Sequence, residues 1–190
     1  MQIALTGGIA CGKSAAMSEF SRLSWGTISA DALAHEVLGT PETIALVRDA
    51  FGEKILTPAN TINRRALGRI VFEDATARKT LESITHPRIN TLWRAQIAAG
   101  PERRWMVEIP LLFETGLETE FATVLCVHCT AGTQLARLAA RGFSEAECRA
   151  RLTAQLPLEE KVRHATHAIF NEGSLEFLAA QVRALSESMR

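Results

Sequence analysis

The sequence lacks the features that would direct the protein to a membrane or to nucleic acid. Its 190 residues carry 21 basic and 21 acidic side chains, so the formal net charge is zero. No global basic field therefore draws the chain to nucleic acid or to an anionic membrane. No apolar run approaches the ~20 residues of a membrane span, and no signal-peptide pattern precedes the first predicted strand. We expect a cytoplasmic protein with neither nucleic-acid nor membrane partners.

Cysteine is also scarce, with single residues at positions 11, 126, 129 and 148. Cys126 and Cys129 form a Cys-x-x-Cys pair, but no second pair or histidine pair completes a metal set. Because the surrounding stretch 124–129 is mostly apolar, it predicts a buried strand. We interpret both thiols as core residues, with a redox or metal role as the alternative. A reducing compartment fits this cysteine usage.

What the chain does contain is a phosphate-loop pattern near its start. Met1–Leu5 predicts a short buried strand, and Gly7–Ser14 then follows the pattern Gly, four residues, Gly-Lys-Ser. Met17, Phe20 and Leu23 recur afterwards at helical spacing. Glycines let the backbone approach a phosphate closely, and amides at a helix N-terminus form an anion nest. The pattern predicts binding of a nucleoside triphosphate.

Two side chains of this loop are expected to act on the phosphates. Lys13 would place a positive charge on the outer phosphate groups, and the Ser14 hydroxyl would ligate Mg²⁺ that bridges the β- and γ-phosphates. The pattern by itself does not identify a second substrate, which has to be inferred from the remainder of the chain.

Acidic residues follow two later predicted strands. Asp31 comes just after the strand predicted over 25–29, and ligands bind beyond the carboxyl ends of strands in open parallel sheets. Asp31 could therefore contact a substrate hydroxyl or a metal, or it could cap the next helix, or both. Glu108, near the end of the strand predicted over 105–109, could assist Mg²⁺ through water. The alternative is an ordinary charged residue at a strand end.

Between the second and third strands, residues 41–99 contain no convincing strand and several helical patterns. We expect a helix over 63–72, capped by Asn63, and a new helix that starts at His86-Pro87. Such a helical insertion could hold a phosphoryl acceptor. Its arginines could meet acceptor phosphates or belong to a solvated helix face. These arginines are Arg64, Arg65 and Arg69.

A second helical region follows the fourth strand. Arg137 and Arg141 lie four residues apart in a predicted helix, so we expect both guanidinium groups on one face. Gly142 interrupts that helix, and Ser144–Glu147 forms a capping box for the next one. We interpret the pair of helices as a lid that closes over the triphosphate. A salt-bridged surface helix is the alternative.

These segments together resemble the dephospho-CoA kinase family. The opening Leu5–Ser14 is similar to the LTGGIGSGKS start that is typical of that family. Further stretches occur in family order, and the resemblance extends over essentially the whole chain to Asn171–Gly173. The intermediate stretches are 30–37 (ADALAHEV), 64–72 (RRALGRIVF), 86–89 (HPRI), 109–114 (IPLLFE), 134–141 and Gln155.

The resemblance implies an α/β P-loop fold of the nucleoside-monophosphate-kinase type, with a five-stranded parallel sheet flanked by helices. It implies one kinase domain whose core is 1–31, 101–134 and 156–190, with a helical CoA-binding insertion over 32–100 and a lid over 135–155. The implied reaction uses ATP and Mg²⁺ to phosphorylate the ribose 3′-hydroxyl of dephospho-CoA, the last step of coenzyme A biosynthesis. We expect a monomer or a small homo-oligomer.

The resemblance also implies roles for residues at matching positions. Asp31 matches the acid proposed as general base, and Lys13, Arg137 and Arg141 complete the implied catalytic set. Ser14 is the implied metal residue. The implied nucleotide-binding residues are Gly8, Ala10, Cys11, Gly12, Lys13, Ser14, Ala15 and Asn171, and the implied acceptor-binding residues are Asp31, Arg64, His86 and Leu111.

The chain departs from the family pattern at several of these positions. Ser29 stands where the family usually has an additional aspartate, which bears on Mg²⁺ affinity. Ala10 and Cys11 replace a glycine and a serine of the loop. Ala15 replaces a common threonine, and His167 replaces a frequent aspartate.

Three other functions remain open from the sequence. The first is a kinase for another small alcohol or a nucleoside monophosphate. The second is a GTP-hydrolysing switch, against which the absence of an Asn-Lys-x-Asp run counts, since the lone Asn171 does not replace it. The third is an inactive relative, suggested by Ser29 and Cys11.

Overall fold

A parallel β-sheet carries the first of the two compact units into which the chain divides. The computed structural model describes residues 1–189, apart from the side chain of Phe72. One unit comprises Met1–Ser29 and the chain from Gly100 onward, and the other comprises Ala30–Ala99. Within the described residues the sheet has five strands in the order β2-β3-β1-β4-β5. They are β1 (Gln2–Gly7), β2 (Gly26–Ser29), β3 (Trp105–Glu108), β4 (Val124–His128) and β5 (His167–Phe170).

The predicted parallel α/β sheet is therefore confirmed. All neighbouring strands pair in parallel, with Leu5 opposite Glu108 and Gly7 opposite Val127. Ser29 also lies opposite Glu108. The carboxyl ends of β1, β2 and β3 consequently meet at one edge of the sheet, which is where an open parallel sheet binds ligands.

Helices connect the strands of the first unit. An apolar cluster that contains Phe20, Trp25 and Val182 fills the space between the sheet and the helices at Lys13–Arg22 and Leu175–Ser188. Phe20 and Trp25 meet edge to face at 5.3 Å, and the Trp25 indole N–H donates to Ser186 Oγ at 2.9 Å. The helices of this unit are α1 (Lys13–Arg22), α6 (Ala131–Ala139), α7 (Glu145–Thr153), α8 (Leu158–His164) and α9 (Leu175–Ser188).

The second unit is helical, as expected for the insertion. Its apolar cluster is built on Val47, Ile55, Ile62 and Leu67. The Asn63 side chain accepts a hydrogen bond from the Ala66 N–H, so the predicted cap is confirmed. The helices are α2 (Ala30–Val37), α3 (Pro41–Phe51), α4 (Arg64–Glu73) and α5 (Ala75–Ala99), with a short 3₁₀ turn at Glu53–Ile55.

The expected helix start at His86-Pro87 is wrong, because α5 continues through Pro87. Proline lacks one backbone N–H and normally interrupts a helix. Here Thr85, Ile89 and Trp93 are buried at successive turns on both sides of it, so packing keeps the two halves in one helix. Over residues 1–189, no helix combines the length and the apolar character that a membrane crossing requires.

Candidate active site

The phosphate loop connects β1 to α1 at the carboxyl edge of the sheet. Gly7 and Gly12 both have positive φ angles, of 144° and 95°. A Cβ on Gly7 would lie 2.1 Å from the Val127 carbonyl oxygen, and a Cβ on Gly12 would lie 2.0 Å from Asn171 Nδ2. Only glycine fits these two positions, since both the angle and the space exclude a side chain.

Lys13 and Ser14 lie in the first turn of α1. The Lys13 ammonium donates to the carbonyl oxygens of Gly7 and Gly8, at 3.1 and 3.0 Å. This places the charge directly over the loop. Ser14 is exposed, and the backbone of Gly12 precedes the helix without a side-chain cap. A helix N-terminus leaves its first amides without intrahelical acceptors, which makes it a site for anions.

Three successive carbonyls of the loop are held by side chains from elsewhere in the unit. The Ile9 oxygen accepts from Gln134 Nε2 at 2.7 Å, and the Ala10 oxygen accepts from Arg137 at 3.2 Å. The Cys11 oxygen accepts from Asn171 Nδ2 at 2.8 Å. These bonds hold the peptide planes in place, including that of Ala10, whose φ of 60° is unfavourable for a residue with a Cβ.

Two glutamines hold both backbone groups of Ile9. Gln134 binds the carbonyl, and the Gln155 side-chain oxygen accepts from the Ile9 N–H at 3.2 Å. Gln134 lies in α6, just before the predicted lid, and Gln155 is the last residue of that lid, so the residues that bound the lid segment meet at one loop residue. Neither glutamine has a role predicted from the sequence. The only sequence feature that could have pointed to these glutamines is that both lie in stretches that resemble the kinase family.

The structure separates the two predicted lid arginines. Arg137, in α6, also donates to the Asn171 carbonyl at 3.1 Å. Arg141 is exposed and lies beyond the end of α6 at Ala139, so the expectation that one helix face carries both side chains is wrong. The helix ends early because Gly142, with φ 87°, turns the chain. The capping box of Ser144 and Glu147 at the start of α7 is confirmed.

Glu172 was not predicted, and it anchors the start of α6. Its carboxylate accepts from the Thr130 N–H and from the hydroxyls of Thr130 and Thr133. These hydrogen bonds, led by that of the Thr133 hydroxyl, lower the pKa of Glu172. Glu172 follows Asn171 directly, so one short segment after β5 supports both the phosphate loop and the helix that carries Arg137.

An ion pair with a completely buried lysine supports the stretch that follows β3. Lys161, in α8, is completely buried, and its ammonium binds Glu114 Oε1 at 2.7 Å and the Pro110 carbonyl at 2.8 Å. Glu114 also accepts from the Leu156 N–H at 2.9 Å. The pair therefore joins the segment after β3 to the chain that follows the predicted lid. Leu111 lies between the two anchored residues and is half-buried.

The remaining predicted residues lie in the second unit. Asp31 is exposed in the first turn of α2, two residues after Ser29 in the chain. Arg64 donates to the ring nitrogen Nδ1 of His35, and its second nitrogen donates to the His35 carbonyl at 3.0 Å. His86 lies half-buried in α5. This unit also has a cavity of about 470 Å³, lined by Val37, Thr40, Glu42, Pro87, Arg88, Thr91 and Leu92.

A glycine-rich loop joins the first strand of the parallel sheet to a helix, and a lysine lies over this loop. These features define a P-loop phosphate-binding protein. The five-stranded parallel sheet flanked by helices is that of a P-loop kinase. A family model described as dephospho-CoA kinase matches residues 1–176. The chain belongs to the dephospho-CoA kinase family.

Individual relatives agree with this assignment. The dephospho-CoA kinase of Geobacter metallireducens is 43% identical over 189 residues, which cover 96% of this chain and 94% of the relative. A solved structure of dephospho-CoA kinase from Campylobacter jejuni is 30% identical with a TM-score of 0.72, and the match covers 99% of this chain and 96% of that one. The crystal structure of TT1252 from Thermus thermophilus is 32% identical with a TM-score of 0.88, covering 100% and 98%.

Proposed function

We propose that the protein transfers the γ-phosphoryl group of ATP to the ribose 3′-hydroxyl of dephospho-CoA and so forms coenzyme A. The observation that carries this proposal is the family match over residues 1–176, joined to a phosphate loop whose backbone is held in place. Kinases of this type use ATP as phosphoryl donor, and the acceptor is a small molecule.

The loop and its surroundings would bind and polarise the phosphates. The amides at the start of α1 face the anion, and Lys13 neutralises charge on the outer phosphates. Arg137 lies against the same loop, where its guanidinium can stabilise the charge that develops on the transferred group. Arg141 would approach only if the segment 135–155 closes, since it is exposed beyond α6.

The oxygen donors at the sheet edge fit Mg²⁺. The Ser14 hydroxyl lies in the first turn of α1, and the buried Glu108 carboxylate ends β3 opposite Ser29. Magnesium takes oxygen ligands, commonly one or two from protein together with substrate phosphates and water. We propose that Ser14 ligates the ion and that Glu108 orients a water on it. When bound, Mg²⁺ would neutralise the β- and γ-phosphates.

The acceptor would be oriented by the segment that follows β2. We propose Asp31 as the residue that accepts the proton of the attacking hydroxyl. Arg64 and His86 of the helical unit, together with Leu111, are proposed to bind dephospho-CoA. Because Arg64 binds His35, its guanidinium is held in place on α4 before any ligand arrives.

The test is ADP release with ATP and Mg²⁺, measured with and without dephospho-CoA, together with the amount of coenzyme A formed. We expect ADP and coenzyme A in equal amounts, and background hydrolysis without acceptor. The Asp31→Asn variant should lose at least ~10²-fold in kcat, the range of general base catalysis. Asp49→Asn is the matched control, since Asp49 is exposed on α3 and pairs only with Arg48 among the described contacts.

Two outcomes would count against the proposal. Efficient ATP binding without a rise in ADP release on addition of dephospho-CoA would exclude this acceptor, and a panel of nucleosides and small alcohols would follow. Near-native turnover of Asp31→Asn would exclude the base role while leaving the acceptor assignment intact.

A further inference from the structure

Two cysteines from distant parts of the chain meet beneath the phosphate loop. The Cys11 and Cys129 sulfurs lie 3.6 Å apart, although the residues are 118 positions apart in sequence. Cys11 is completely buried and Cys129 is 5% exposed. Neither thiol has a role in phosphoryl transfer as described above. Cys11 belongs to the loop itself, whereas Cys129 directly follows β4.

The Cys11 side chain points to the core side of the loop. It is part of the apolar cluster that also contains Leu125, Val127 and Cys129. Its sulfur lies so close beneath Gly8 that a Cβ there would be 2.9 Å away. The backbone of the same residue is held by Asn171 through its carbonyl oxygen. Any force on the sulfur is therefore transmitted to the phosphate-binding backbone.

We propose that Cys11 and Cys129 form a reversible disulfide that switches off nucleotide binding by the loop. The oxidant would be a small peroxide. Each thiol loses one hydrogen, the two sulfurs form a bond, and the O–O bond of the peroxide takes up two electrons and two protons. With hydrogen peroxide the products are the disulfide and two water molecules.

The geometry explains why closure would impair the loop. A disulfide brings its sulfurs to about 2.05 Å, so they must approach by roughly 1.5 Å from the present 3.6 Å. The end of β4 is fixed by pairing with β1 and β5, so the loop has to supply most of the shift. A misplacement of about 1 Å in a site that positions reactants can cost ~10²-fold.

The other two cysteines do not offer this reaction. Cys126 and Cys148 are buried, and their sulfurs contact backbone oxygens, those of Val127 and Phe143.

The burial of Cys11 and Cys129 determines which oxidant can act, because a bulky disulfide reagent cannot reach these two thiols. Burial raises the pKa of the Cys11 thiol and raises that of Cys129 to about 12. Thiolates are the reacting species, so oxidation should accelerate as pH rises.

The experiment treats the full chain with hydrogen peroxide at mildly alkaline pH, alkylates the remaining thiols and maps disulfides by mass spectrometry of unreduced peptides. ATP binding is measured on the same samples by equilibrium dialysis. We expect a Cys11–Cys129 peptide pair, at least a tenfold loss of ATP affinity, and recovery of both after dithiothreitol. Because this readout needs no acceptor, it stays valid if dephospho-CoA proves to be the wrong acceptor.

Cys129→Ser tests the assignment, and Cys126→Ser is the matched control. Cys129→Ser should bind ATP normally and resist peroxide, whereas Cys126→Ser should lose affinity as the native protein does. If Cys129→Ser does not fold, Cys129→Ala takes its place, and the peptide map of the native protein still decides whether the bond forms. The proposal is overturned if the linked peptides are absent, if the disulfide leaves ATP affinity unchanged, or if dithiothreitol does not restore binding.

Discussion

Replacement of Gln155 by leucine tests whether the predicted lid acts on the phosphate loop through Ile9. The Gln155 side-chain oxygen accepts from the Ile9 N–H at 3.2 Å, while Gln134 holds the carbonyl of the same residue. Leucine of similar size would leave the amide without this acceptor. An unsatisfied, partly buried backbone group costs about 1–3 kcal/mol, which corresponds to roughly 5- to 150-fold in kcat/KM for ATP.

The assay measures kcat and KM for ATP, and the thermal midpoint, for Gln155→Leu, Gln134→Leu and the double variant. Since both glutamines act on one residue, the loss in the double variant should be smaller than the product of the single losses. Gln181→Leu is the matched control. Gln181 binds both backbone groups of Phe170 in the same way but outside the phosphate loop, so it should lower the thermal midpoint and leave kcat/KM for ATP within about twofold, because no loop contact is lost.

A result that refutes the reasoning is a Gln155→Leu enzyme with native kcat/KM for ATP. Equal losses in Gln155→Leu and Gln181→Leu would also refute it, because the effect would then follow general destabilisation. Strictly multiplicative losses in the double variant would show that the two glutamines act independently and that Ile9 is not their common target.

Three further predictions concern stability and acceptor binding. Glu114→Gln should lower stability by about 3 kcal/mol, because it leaves the completely buried Lys161 ammonium without its anion, and should lower the thermal midpoint by roughly 6–12 °C; Lys161→Met, which leaves only an accessible carboxylate, should cost less. Burial lowers the pKa of His128, so its stabilising contribution is present above the ordinary value of about 6.5 and is lost as pH falls below it. Thermal melts between about pH 7.5 and 5.5 should therefore show a smaller drop for His128→Phe than for the native protein, and an equal drop would contradict this assignment. Thr91→Phe, which adds bulk at the cavity of the helical unit, should raise KM for dephospho-CoA while KM for ATP stays constant, and unchanged KM values would separate the cavity from acceptor binding.

Local patterns in the sequence were sufficient for much of the fold. The phosphate loop is defined by residue types at fixed spacing, because Gly7, Gly12, Lys13 and Ser14 each meet a need of the loop itself. Strands β1, β3 and β4 are short and mostly buried apolar runs, and all five strands pair in parallel as expected. Helix caps such as Ser144 are also local, since the cap bonds a backbone N–H only three residues away.

Local patterns failed where packing overrides propensity. Pro87 predicted a helix boundary, yet α5 continues through it because buried side chains on both sides hold its two halves. Arg137 and Arg141 were expected on one helix face, but the chain leaves the helix at Ala140 and turns at Gly142. In both cases the outcome depended on contacts or turns that the spacing of a few residues does not contain.

The roles of individual residues at the site were likewise only partly predictable from the sequence. By itself the sequence determined a nucleotide-binding loop and, through its resemblance to a kinase family, the reaction to expect. Only the tertiary structure brought Gln134 and Gln155 to Ile9, Asn171 to Cys11, and Lys161 to Glu114. It also brought Cys129 to within 3.6 Å of Cys11. These partners are 47 to 160 residues apart in the sequence, so their proximity follows from the packing of strands and helices and leaves no periodic signal in the sequence.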